Sequence, residues 1–182
     1  MDFCVLGLLL IQEMTIYQLN KAFQTSLSLF YSASLGSLQK ATAKLLKEGK
    51  ISRREVYEGK RLKKIYRILP SGKAAFLAEI ISDLPSSRLE ENALARISFL
   101  GLLETAEQKE TVLTLIINAV ESSLNDLISM KTDLTAAQIP DSCSEIFSWQ
   151  IKTLDYGIMA HQAGLVWFRT VFDDLHSSSQ KS

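Results

Sequence analysis

Proline is scarce in this chain. Only Pro70, Pro85 and Pro140 occur in 182 residues, so little interrupts helix formation. With 47% apolar residues alongside, that scarcity excludes a disordered or low-complexity protein and favours a packed, mainly helical one. Cysteine is equally sparse. Cys4 and Cys143 lie far apart inside apolar helical patterns, which excludes a disulfide scaffold and reads as two reduced core thiols. The only histidines, His161 and His176, stand 15 apart, and no Cys/His cluster has zinc-ligand spacing, so no metal is implied. A Gly-rich phosphate loop, a Gly-x-Ser-x-Gly elbow and an HExxH motif are all missing. Glu90-Glu91 and Asp173-Asp174 are sequence neighbours that point apart on a helix, and read as solvated edges. Catalysis and a cofactor therefore have nothing to stand on. The apolar opening, MDFCVLGLLLIQ, is too short to cross a bilayer and no small-residue cleavage site follows it. It reads as a buried helix, and a cytoplasmic location without a membrane partner is expected.

Net charge is also absent, at +0 overall, but the zero is a sum of two halves. Residues 1–82 carry +7 and the remainder −7. Such asymmetry points to a polyanion-binding head and a separate body.

The head has a legible order. A short apolar helix spans 3–12, and a second follows Thr15, placed as an N-cap. The third runs from Ser34, as cap, to Gly49, as stop. Two β-prone runs flank Glu58-Gly59-Lys60-Arg61 in a hairpin signal, and Pro70 opens another helix. Three helices, a hairpin and a helix within about 80 residues describe a winged helix-turn-helix. The third helix, SLGSLQKATAKLLKEGKI, has Leu35, Leu38, Leu45 and Leu46 for a core. Ser37, Lys40, Lys44 and Lys47 line its other side. An ordinary solvated lysine face is the competing reading of that row. The hairpin repeats the charge, however, with Arg53, Arg54, Lys60, Arg61, Lys63, Lys64 and Arg67, and two adjacent elements of one sign are the footprint of a nucleic-acid binder. Double-stranded DNA is the expected partner. Lys40, Lys44 and Lys47 with Lys60, Arg61, Lys63 and Lys64 would hold phosphates, and Ser37 and Gln39 would reach base edges.

The body, residues 83–182, reads as helices. Its last one is the most regular segment of the chain. Phe147, Ile151, Leu154, Ile158, His161, Leu165, Phe168, Phe172 and Leu175 alternate gaps of four and three, a heptad seam. A second apolar stripe holds Trp149, Tyr156, Met159, Ala163 and Val166, and Gly157, Ala160 and Gly164 form a small-residue line. So wide an apolar front needs two covers, one from the chain itself and one from a second copy. A two-fold homodimer through the seam, Phe147 to Phe172, is expected. A self-contained bundle is the alternative. Trp149, Tyr156 and Trp167 are candidates for a pocket sandwiching a small aromatic effector, or else they fill the helix contact.

These stretches resemble one family. VLGLLLIQEMTIYQLNKAF, SLGSLQKATAKLLKEGKI and KKIYRILPSGKAAF resemble, in order and spacing, the opening helices, recognition helix and wing exit of the PadR family of bacterial transcriptional regulators. Tyr17, Lys64, Tyr66 and Gly72 are in register. Ile16 stands where the family commonly has Gly, Leu38-Gln39-Lys40 where it has Ile-Tyr-Pro, and Leu69 where a threonine usually caps the exit helix. The resemblance implies a dimer with a long C-terminal helical region, and repression relieved by a small molecule. A winged-helix protein-interaction module, or a ligand-binding dimer without DNA binding, would share the fold.

Overall fold

A computed structural model describes residues 1–28, 31, 33–59, 61–138 and 140–179. The chain is mainly helical with one small sheet, in two compact units. The first comprises residues 1–82 and 90–109, the second 83–89 and 110–182.

The first unit is a winged helix-turn-helix. Helix α1 (Asp2–Ile11) is apolar all round, and Phe3 through Leu9 are all buried, as such a helix must be. Strand β1 (Met14–Thr15) leads into α2 (Ile16–Ala22), whose start is fixed by a capping box. Thr15 Oγ1 accepts from Gln18 N–H at 3.3 Å, and Gln18 Oε1 accepts from Thr15 N–H at 2.8 Å. A π-helical turn, Phe23–Leu27, ends α2, and α3 (Leu35–Lys47) follows. Gly49, at φ +65°, stops α3 in the left-handed region. The wing is β2 (Ile51–Glu58) with β3 (Arg61–Ile68), paired antiparallel from Ile51↔Ile68 to Glu58↔Arg61. Thr15↔Ile65 and Met14↔Tyr66 add β1, giving the order β1-β3-β2. That third strand is too short to leave a period-two signal in the sequence.

Pro70 occupies the first turn of α4 (Pro70–Ile80). Phe76 of α4 stacks on Phe3 of α1 at 4.9 Å between ring centroids. Phe99 closes the cluster, edge-on to both rings at 5.7 and 5.9 Å. The head therefore does not end at residue 82. Helix α5 (Leu89–Ser98) and the 3₁₀ turn Leu100–Leu102 follow, and all but the first of their residues belong to the head's unit. The guanidinium of Arg96, buried, donates to the Ser82 carbonyl and to its hydroxyl. The charge asymmetry marks a boundary near 82, whereas the packing divides at about 109.

The second unit is built chiefly of a helical hairpin, α6 (Ala106–Ala136) from residue 110 onward and α7 (Ser144–Ser179). Bridges pair rising numbers on α6 with falling numbers on α7, so the two run antiparallel. They are Glu110 with His176 (3.1 Å), Glu121 with Arg169, Ser123 with His161 (3.0 Å) and Lys131 with Asp155 (2.5 Å). An 18-residue window of α6 reaches a mean hydropathy of 1.2, enough by composition to cross a membrane. Its charged bridges to α7 suit a hairpin in water instead, since such groups are costly in hydrocarbon.

Candidate functional site

Helix α3 is amphipathic by construction. Leu38, Ala41 and Leu45 are buried on its inner side, and Thr42 joins them because its hydroxyl donates to Leu38 O at 2.9 Å. Gly36, Gln39, Lys40, Ala43, Lys44 and Lys47 are exposed. Ser37 is not part of that outer row. Its hydroxyl donates to Ser34 O at 2.8 Å and accepts from Ser34 N–H at 2.9 Å, while Ser34 Oγ accepts from Ser37 N–H at 3.1 Å. The expected base reader is thus consumed by the helix cap, because a hydroxyl at the third helical position finds the cap backbone before it finds anything outside.

The three lysines differ in electrostatic state. Lys44 Nζ lies 2.6 Å from Asp2 Oδ2 and 3.9 Å from Glu48 Oε1. The hydrogen bond to Asp2, and the charges of Asp2 and Glu48, hold its ammonium above its ordinary pKa. Lys40 and Lys47 have no acidic partner among the described residues. The outer face therefore carries two uncommitted cations and one held at its flank.

The wing is divided more deeply. Lys63 and Lys64 are both exposed, but adjacent strand residues point to opposite faces. Lys64 shares its face with Glu55, Tyr57, Leu62 and Arg53, and Lys63 shares the other with Val56, Arg54 and Arg67. The basic residues of the wing are thus divided between its two faces by the β period. On the Lys63 face, Arg54 and Arg67 both turn to Glu13, at 2.9 and 3.6 Å. Arg53 lies 3.8 Å from Glu55. Lys60 lies outside the described residues, as does the side chain of Arg61. Helix α2 also exposes Tyr17, at 74%, and Lys21 one turn further on, which has no acidic partner among the described residues. Their i, i+4 spacing puts both on one side of α2.

The heptad seam of α7 turns onto the chain's own α6. Leu165 and Phe168 are buried, and Phe147, Ile151, Leu154, Ile158, His161 and Phe172 are half-buried. His161 Nε2 meets Ser123 Oγ, and its Nδ1 lies 2.8 Å from Gly157 O. A methyl on Gly157 would sit 3.5 Å from Leu127 of α6. The seam expected to join two copies thus packs, at least in part, on the chain's own α6, which ends only seven residues before α7 begins. What stays open is the second stripe. Trp149, Tyr156, Met159 and Val166 are 61–69% exposed, Trp167 is 45% exposed, and Ala160 and Ala163 lie exposed between them. Lys152 Nζ caps the Trp149 ring at 4.1 Å. A shallow depression on α6, lined by Asp126, Ser129, Met130, Asp133 and Leu134, includes none of Trp149, Tyr156 and Trp167.

No family model matches the chain, and no curated protein matches it. Similar solved structures include Bacillus subtilis PadR in complex with operator DNA, at 22% identity over 94% of this chain and 96% of that one, TM-score 0.46. A PadR-like transcriptional regulator, BC1756 from Bacillus cereus, shares 23% identity over 97% and 98% of the two chains, TM-score 0.42. The Vibrio cholerae virulence activator AphA shares 16% over 97% and 98%, TM-score 0.40.

Proposed function

We propose that the protein is a DNA-binding transcriptional regulator of the PadR type, a homodimer that represses by occupying an inverted-repeat operator. The observation that carries this reading is the outer face of α3. It joins two uncommitted lysines, Lys40 near its middle and Lys47 at its C-terminal end, to small residues that let the helix sit deep in a major groove. Lys40 and Lys47, with Lys64 on one face of the wing, Lys63 on the other and Lys21 of α2, are the proposed phosphate contacts, the wing reaching phosphates on both of its sides. Lys60 and Arg61 at the wing turn and Lys44 at the flank of α3 complete the set. Gln39 is the proposed base reader.

The second copy docks on the exposed stripe of α7. Trp149, Tyr156, Ala160, Ala163 and Trp167 follow spacings of seven, four, three and four, a heptad line with small residues at its middle and rings at its ends. Twinning places two heads on one scaffold. Spaced roughly 34–36 Å apart, they reach successive major grooves and multiply each other's effective concentration. A planar aromatic effector would meet these same rings and act by favouring one spacing of the heads.

The experiment is a mobility shift with the protein's own promoter region over a range of salt. Sequence-preferring binding, with a log–log salt slope steeper than about −4, is expected from at least five phosphate contacts. Binding of a protein partner with no DNA shift at low salt would replace this reading with that of an interaction module.

A further inference from the structure

The part of α3 able to touch base edges can be narrowed by elimination. Ser37 is committed to the cap, and Lys44 is drawn sideways to Asp2. In the N-terminal and central turns that leaves Gly36, Gln39, Lys40 and Ala43 on the open face. Gln39 is the only one of the four whose side chain both donates and accepts. Its carboxamide matches the N6–H donor and N7 acceptor of adenine. Ala43 stands one turn further along the same face. Its methyl group can make one kind of base contact, apolar packing against the C5 methyl of thymine. Four residues rise about 6 Å along the helix, close to two base steps. Gly36 fits the same picture. A methyl there would meet only Ser34 Oγ at 3.9 Å, so packing does not demand glycine. Alanine would favour the helix, and a bare backbone at that point serves close approach to the groove floor.

We infer that α3 reads an adenine through Gln39 and a thymine methyl through Ala43, so that each operator half-site holds an A·T core facing the middle of this helix. The inference rests on the DNA-binding reading above and names the class of sequence that it selects.

The test starts from fragments selected by the full-length protein from a random duplex pool. Winners should share an adenine and a thymine at fixed spacing in each half. In the selected site, replacing that thymine by uracil removes only the methyl group, and should weaken the wild-type protein about fourfold. The same change should leave Ala43→Gly unaffected. Replacing the adenine by 7-deazaadenine should weaken the wild type about fivefold or more and leave Gln39→Ala unmoved. The base substitutions use unaltered protein, so they report even where a variant folds poorly. Half-sites built on G·C pairs, with Lys40 as reader, would overturn the inference while leaving DNA binding intact, as would full tolerance of uracil at every thymine. Failure to select any DNA would remove the DNA-binding reading itself.

Discussion

At the scale of single residues, the head is a balance of committed and uncommitted charges. Asp2 and Glu13 are the acids that set it, one holding Lys44 and the other holding Arg54 and Arg67. Asp2→Asn should remove the nearer of Lys44's two acids, leaving Glu48 at 3.9 Å. DNA affinity should then rise on all sequences, with the salt slope steepened by up to about one counterion, and a fluorescence-anisotropy salt titration reads both. An unchanged slope would put Lys44 away from the phosphates. The cost, loss of an acid from the first turn of α1, is about 0.3–1 kcal/mol of stability. Cys4 offers a separate prediction. Burial pushes its thiol up to about 11 from an ordinary 9.0, the N-terminal amine opposing and Glu79 adding. A folded pKa above the unfolded one means the contribution is whole below about pH 9 and declines toward pH 11, by about 2–3 kcal/mol. Urea unfolding from pH 8 to 11 should show that decline, and Cys4→Ala should flatten it. Cys143, half-exposed rather than in the core, should be the thiol that reacts in the folded protein at pH 8.

Among the elements, the wing's return to α4 is the tightest junction. Leu69 N–H donates to Lys50 O at 2.9 Å and Ser71 Oγ to Gly49 O at 2.6 Å. A methyl on Gly72 would sit 2.2 Å from that Lys50 oxygen and 2.9 Å from Ile68 Cγ1. Gly72→Ala should therefore cost about 1–3 kcal/mol and displace the wing. Gly101→Ala, where nothing lies within 4 Å, is the control, and a thermal melt separates them. A melt of Gly72→Ala equal to the control would refute the close approach. The elements themselves were legible in advance. Ser34 and Thr15 as caps, Gly49 as stop and Pro70 as first turn all stand where local chemistry requires them. Strand β1 and the attachment of α5 to the head were not, because two-residue pairing and a ring docked from residue 99 depend on contacts distant in sequence.

For the whole molecule, the question is which side of α7 meets which partner. The heptad seam packs partly on α6, with Leu165 and Phe168 buried, and the Trp149–Trp167 stripe is open. Under the proposed dimer, Ala163→Glu should leave helical content unchanged yet convert it to monomers in sedimentation velocity, and weaken the proposed operator binding at least tenfold through lost effective concentration. A dimer that survives that charge would place the interface elsewhere. Phe168→Glu should instead damage the hairpin itself, since its ring is 3% exposed in the single chain.

The sequence alone determined what is local. Periodicity, caps and turn residues act within a few positions, so the winged head, the helices of the body and the signed halves could be read directly. Tertiary structure decided which of several chemically equal groups was available. Three lysines on one helix look alike until Asp2 arrives from 42 residues away, and two stripes on α7 look alike until α6 covers one. Coulomb attraction and burial depend on distance in space, and the chain order does not carry that distance.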